Sequence, residues 1–228
     1  MTARDRKRAI VLAALPLFAR KGFARTTTKD LAKAAGVSEP LLYRHFPSKD
    51  ALYLEIQNFC CGHTDPAVKK LGELEPSTST LVHLVYYLMR ALVLGLPAGE
   101  IQWDTRHRLT LNSLLEDGTF ARLLFKNRFD LFCSQLEESL AAAEAAGDAV
   151  PSPVSRSNRA RFGHHLGAWL ALTHLPGKSV IAYHAPREEL LNQAVWFALR
   201  GMGVTDHAIA THFNPKAIAR SFDEDAKS

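Results

Sequence analysis

The sequence predicts an all-α protein, with a three-helix unit containing a helix-turn-helix at the N-terminus and a larger helical bundle behind it. Two observations carry that expectation. Apolar residues recur every three or four positions along most of the 228 residues, and alternating strand-like runs are scarce. The stretch from Thr27 to Asp50, TTKDLAKAAGVSEPLLYRHFPSKD, reads as two short helices around a Gly-containing turn with a further helix start behind them.

The first helix spans Thr2–Lys21, with Ile10, Ala14, Leu17 and Phe18 on one stripe and Gly22 ending it. Pro16 inside it is expected to kink or split it. Thr27 and Asp30 open the second helix as a capping box, and Leu31, Ala32 and Ala35 form its apolar side. Gly36 follows where a left-handed backbone is needed, and Val37 can plug the angle between the helices. Ser38 caps the third helix, in whose first turn Glu39 suits the dipole and Pro40 lacks an N–H that would have no partner. Leu42 and Phe46, four apart, must face inward, which leaves Glu39, Leu41, Tyr43, Arg44 and His45 largely outward. Pro47 stops this helix, and Ser48 caps a fourth that runs to about Cys61.

His63–Ser77 holds Pro66, Gly72 and Pro76 and reads as a joint. Further helices are expected over Thr78–Leu96, Ile101–Leu115, Phe120–Ala146, Asn158–Leu175 and Pro186–Met202, with breaks at Pro97–Gly99 and Gly147–Ser157. The boundaries that follow are a helix-turn-helix domain over 1–50, a helical domain over 51–222 and a disordered tail over 223–228.

An outward face carrying Arg, Tyr and His just after a tight turn is how a recognition helix presents itself to a major groove. The pattern Ala13-Ala14, Leu17-Phe18, Gly22-Phe23, Thr26-Thr27, Asp30-Leu31-Ala32, Ala35-Gly36-Val37-Ser38, Leu42-Tyr43, His45-Phe46 and Ser48-Lys49 resembles the TetR (tetracycline-repressor-like) transcriptional regulators. The resemblance covers roughly residues 8 to 54, and the rest of the chain carries no such signature. It implies DNA binding as a homodimer, a helical C-terminal domain that binds a small-molecule inducer, and a ligand-controlled regulator that is usually a repressor.

Charge supports the DNA reading independently. Residues 1–50 hold eleven Lys or Arg against four Asp or Glu, while the rest holds seventeen against nineteen. A basic segment joined to a near-neutral body is the footprint expected of a protein that neutralises duplex phosphates. No apolar run approaches the ~20 residues of a membrane helix, and the charged N-terminus lacks a signal-like apolar core, so a cytoplasmic protein without a membrane partner is expected. Cys60, Cys61 and Cys133 are odd in number and lack C-x-x-C spacing, which argues against a disulfide framework or structural zinc. Packing is the expected role of Cys60 and Cys61, ahead of a redox switch, and no metal or cofactor is expected.

At the DNA, Thr27, Thr28 and Lys29 lie at a helix start where backbone N–H groups and an ammonium can grip a phosphate. Tyr43, His45 and Lys49 match family positions that usually touch the sugar-phosphate backbone. Glu39 can accept from a cytosine amino group, Pro40 and Leu41 can press on a thymine methyl, and Arg44 can pair with guanine or fall on phosphate. Leu41 and Pro40 depart from the commoner family pattern, which has a small or hydroxyl residue and often Gly there, so the operator sequence stays open.

Tyr86, Met89, Trp103, His107, Phe129, His165 and Trp169 are candidates for a ligand pocket for a hydrophobic or aromatic molecule, with His107, His165 or Arg106 orienting it. Gly163, Gly167 and Ala171 recur every four residues and offer a flat helix side. With Phe162, Leu166, Leu170, Leu191, Val195, Trp196 and Leu199 they form the candidate dimer seam, where the resemblance favours an intermolecular four-helix bundle over a monomer core. An enzyme is not expected: His164 and His165 point about 100° apart on a helix, and no catalytic motif accompanies them. The alternative to a ligand-released repressor is a constitutive or architectural DNA binder whose C-terminal domain only dimerises.

Overall fold

The computed structural model describes residues 2–61, 66–95 and 101–225. Helix α1 (Ala3–Arg25) starts from Thr2, whose hydroxyl accepts the Asp5 N–H at 3.1 Å. Its backbone leaves helical geometry only at Gly22, with φ 74° and ψ 171°. Pro16 does not split the helix: proline's fixed φ is itself helical and Pro16 lies on the exposed side, so helical backbone continues past it with the loss of a hydrogen bond.

Helices α2 (Thr28–Ala34), α3 (Glu39–His45) and α4 (Lys49–Cys61) follow. The stretch expected to be a joint contains a short helix, α5 (Pro66–Gly72). Helix α6 spans Thr78–Val93, and the expected break at Pro97–Gly99 lies outside the described residues. After α7 (Trp103–Leu115), the helix expected over Phe120–Ala146 is helical from Thr119 to Ala145, as α8 (Thr119–Leu124), a π-helical turn (Phe125–Phe129) and α9 (Asp130–Ala145).

Helices α10 (Arg156–Thr173) and α11 (Arg187–Gly201) were expected, whereas α12 (Asp206–His212) and α13 (Pro215–Asp225) were not. Their starts are ordinary caps: Thr205 Oγ1 accepts the Ala208 N–H at 3.2 Å, and Asn214 Oδ1 the Ala217 N–H at 3.2 Å. Asp223–Asp225 therefore end a helix instead of opening a tail, because the Asn214 cap and Pro215 start a new helix shortly before them. Among the described residues the all-α expectation stands, with the bridge between Ala149 and Val204 as isolated β pairing.

The chain divides into two compact units. One comprises residues 1–63 and 101–128, the other residues 64–100 and 129–228. The first thus adds α4, α7 and α8 to the three N-terminal helices, a different cut from 1–50 and 51–222. Its core joins Ile10, Ala14 and Phe18 of α1 to Leu31, Leu42, Phe46, Leu52, Ile56, Leu109 and Phe120. In the second unit α6 is the central helix, packed by α9, α10, α11 and α12. Leu81, Val82, Leu84, Val85, Met89 and Val93 of α6 are fully buried there.

The same unit is clasped at one corner. Val150 N–H donates to the Gly203 carbonyl at 2.9 Å and Thr205 N–H to the Asp148 carbonyl at 2.8 Å. Buried Arg159 reaches the Met202 carbonyl at 2.6 Å and pairs with Glu144, which Arg156 also grips at 2.5 Å. Burial works against the Glu144 carboxylate, but the hydrogen bonds and charges of Arg159 and Arg156 outweigh it and hold its pKa below the ordinary carboxyl value.

Candidate nucleic-acid interface

The α2–turn–α3 segment forms for local reasons. Thr27 and Asp30 make both halves of the capping box, at 3.1 and 3.3 Å. Hydrogen bonds from Lys21, then from the Thr27 backbone and hydroxyl, hold the Asp30 carboxyl below its ordinary pKa; the Lys21 contact is 2.8 Å long. At the other end Gly36 takes φ 64°. Its N–H reaches the Lys33 carbonyl at 3.2 Å, and the Val37 N–H reaches that of Ala32 at 3.0 Å. This paired closure is the Schellman motif, and it needs a residue that tolerates positive φ. Ser38 then caps α3 through the Leu41 N–H at 3.3 Å.

Leu42 and Phe46 are each 3% exposed and anchor α3 to the core, as their spacing requires. Pro40, Tyr43 and Arg44 are left exposed, and Glu39, Leu41 and His45 half-buried. Thr27 and Lys29 are exposed at the start of α2. Thr28, Glu39 and Lys49 have partners within the unit that the sequence did not announce. The Thr28 hydroxyl donates to Glu39 Oε2 at 3.1 Å. His45 Nε2 is covered and has no hydrogen-bond partner among the described residues.

Lys49 is the third. Its ammonium donates to the carbonyls of Phe23 at 3.0 Å and Thr26 at 3.2 Å, and lies 4.2 Å from the Phe23 ring centre. In the folded chain Lys49 thus serves the end of α1, a use that its position in the sequence did not announce. At the C-terminal end of α1 orphan carbonyls point outward, and a cation there meets them before any phosphate.

The same end of α1 is held by residues the sequence reading missed. Asn112 Nδ2 donates to the carbonyls of Ala19 at 2.8 Å and Phe18 at 3.3 Å, and Glu116 Oε1 accepts the Phe23 N–H at 3.2 Å. Thr26 Oγ1 donates to the Gly22 carbonyl at 2.7 Å. Asn112 lies on α7 and Glu116, four residues later, is the residue that ends it, a spacing with no distinctive signature; the signal for their role is the kink at Gly22, which frees backbone groups that must then be satisfied.

The ligand candidates divide between the two units. Trp103 and His107 belong to the first, their rings 4.7 Å apart. In the second, Tyr86, Met89 and Phe129 are buried, with the Phe129 ring 4.4 Å from that of His164. His165 and Trp169 face outward on α10, Trp169 with 63% exposure, so these two do not line an interior cavity of that unit as expected.

The dimer candidates also separate. A Cβ at Gly163 would lie 2.5 Å from Met202 Cε, and one at Gly167 would lie 2.8 Å from both Leu92 Cδ1 and Met89 Sδ. The flat side of α10 therefore receives α11 and α6 of its own chain, not a second copy. Leu170, Leu191, Val195 and Leu199 are buried on the same inner side. Phe162 and Trp196 are exposed and Leu166 is half-buried, and Trp169 and Phe197 join them on the outward sides of α10 and α11.

Cys60 and Cys133 are buried free thiols, and burial pushes Cys133 up to about 11. Among the described residues no three His, Cys, Asp or Glu are grouped to hold a metal ion, and no helix is long and apolar enough to cross a membrane.

Residues 10–56 match the family described as bacterial regulatory proteins, tetR family. Over 69 residues the chain is 36% identical to the HTH-type transcriptional regulator YerO of Bacillus subtilis, covering 30% of this chain and 24% of that protein. It is 41% identical over 66 residues to the HTH-type transcriptional regulator EthR of Mycolicibacterium smegmatis, covering 29% and 27%. The matches thus span about a quarter of the length of these curated relatives. In fold, the chain is similar to the crystal structure of AibR in complex with isovaleryl coenzyme A and operator DNA, with a TM-score of 0.61, 18% identity and coverage of 84% of this chain and 97% of that one. The helix-turn-helix built on Leu42, Phe46 and Gly36 and the sequence match across it agree, and residues 10–56 form a DNA-binding segment of the kind found in the tetR family of bacterial regulatory proteins.

Proposed function

We propose that this chain is a sequence-selective DNA-binding transcriptional regulator, a cytoplasmic homodimer that represses from an inverted-repeat operator and is released by a small apolar ligand. The observation that carries the reading is the division of α3: Leu42 and Phe46 are locked into the core while Pro40, Tyr43 and Arg44 stand exposed on a segment whose first fifty residues are strongly basic. Exposed base-reading and phosphate-binding side chains on a rigid helix are what major-groove recognition requires. Residues 1–50 would supply the DNA contacts, and 51–222 dimerisation and ligand control.

The outward aromatics Phe162, Trp169, Trp196 and Phe197 on α10 and α11, two helices that pack on each other, supply the apolar area for the dimer. A two-fold pair of short recognition helices reads two half-sites, which gives selectivity that one seven-residue helix lacks. The ligand class rests on the apolar interior around Tyr86, Met89 and Phe129 and on the acyl-CoA bound by AibR, which the fold resembles. Such a ligand acts only through its differential affinity for the DNA-competent and incompetent states.

Selection of duplexes from a random pool by the full chain, followed by fluorescence anisotropy at physiological salt, tests the reading. A shared inverted repeat bound by two protomers, and released by an acyl-CoA or another apolar ligand, is expected. Equal affinity for selected and scrambled duplexes would overturn selectivity, and selective binding that no ligand relieves would favour the constitutive DNA binder.

A further inference from the structure

The Thr28 hydroxyl is committed within the protein. It donates to Oε2 of Glu39 at 3.1 Å, from the first residue of α2 to the first residue of α3. Both side chains are half-buried, so water competes weakly for the bond. Glu39 has no need to fold back over its own helix start, because Ser38 already accepts the Leu41 N–H there. Thr28 therefore fixes one carboxylate oxygen and leaves Oε1, which has no partner among the described residues, to project from the recognition helix in a set direction.

An ionised carboxylate only accepts hydrogen bonds and is repelled by phosphates. In the major groove its match is a base amino group, that of cytosine above all. We propose that Thr28 is a positioning residue for base selectivity: by orienting Glu39 it makes each protomer prefer cytosine at one position of its half-site. The inference rests on the DNA-binding reading above. It removes Thr28 from the phosphate contacts and leaves that duty at the start of α2 to the exposed Thr27 and Lys29. A carboxylate held this way also penalises wrong sequences, since without an amino partner it faces acceptors and phosphate charge.

The test uses the full chain and a selected duplex in which each half-site position is changed to every other base pair. Affinities are read by anisotropy for the wild type, Thr28→Val, Thr28→Ser and Glu39→Gln, with the melting temperature of each. The wild type is expected to prefer cytosine at one position by about 10-fold. Thr28→Val should erase most of that preference and leave the other positions unchanged, and Thr28→Ser should keep it. Glu39→Gln should lose it and bind mismatched duplexes more tightly. If Thr28→Val does not fold, Glu39→Asp, a methylene short of Thr28, should lose the same preference.

A Thr28→Val protein that binds less tightly at every position, with the cytosine preference intact, would overturn the proposal and leave the pair a staple between α2 and α3. A wild type that ignores sequence altogether would overturn the DNA-binding reading instead.

Discussion

Among the residues at the DNA end, Arg44 and Lys49 look equivalent in sequence and differ in the folded chain. Arg44 is exposed as the sixth residue of α3, and its guanidinium is available for guanine or phosphate. Arg44→Ala is expected to weaken specific binding by on the order of 1–3 kcal/mol and to relax one half-site position, read as affinities across a base-substituted duplex series. Uniform weakening on all duplexes would assign it to phosphate. Lys49 instead closes the end of α1 with two carbonyl bonds and a ring contact. Lys49→Met should lower stability by about 1–3 kcal/mol in denaturant titration, because two carbonyls lose their donor. It should leave the salt slope of DNA binding unchanged; a slope smaller by about 1 would restore Lys49 to the phosphate contacts. The cation at position 49 is legible in the sequence, but the oxygen it meets depends on where α1 ends in space.

At the level of elements, α10 shows most directly how a pattern can be read correctly and assigned to the wrong partner. Gly163 and Gly167 do form a flat side for close helix approach, but α6 and α11 of the same chain occupy it. Gly167→Ala puts a methyl against Leu92 and Met89 and is expected to cost about 1–3 kcal/mol of stability by overpacking. Its dimer dissociation constant, measured by sedimentation, should not change; a weakened dimer at unchanged stability would return the Gly face to the seam. The clasp on Glu144 gives a pH dependence. Its folded pKa is depressed, so the stability it contributes is present above the carboxyl's ordinary value of 4.5 and is lost as pH falls through the lower folded value. Glu144→Gln should flatten the fall in stability as pH drops below the ordinary carboxyl value of 4.5 in urea titrations; an unchanged acid limb would show that Glu144 is not its source.

For the whole molecule, the proposed dimer turns on the outward aromatics of α10 and α11. Large rings with 59% exposure at Phe162, 63% at Trp169 and 65% at Phe197 leave apolar area that a second copy can cover. Trp169→Glu with Phe197→Glu should give a monomer in sedimentation with an unchanged far-ultraviolet spectrum, and should lose most operator affinity because one recognition helix reads only a half-site. A double variant that stays dimeric would place the seam elsewhere.

What the sequence by itself determined was local: the all-α class, the caps at Thr27 and Ser38, the turn at Gly36 and the inward pair Leu42 and Phe46. Each follows from contacts within a few residues, where helical spacing and backbone sterics leave little choice. Tertiary structure alone decided that Lys49 serves carbonyls, that Asn112 and Glu116 hold the Gly22 kink, that Thr28 orients Glu39, and which side of α10 is inward. Those outcomes pair groups 11 to 94 residues apart or on different helices, and residue type and spacing specify a polar or flat surface without naming what will meet it.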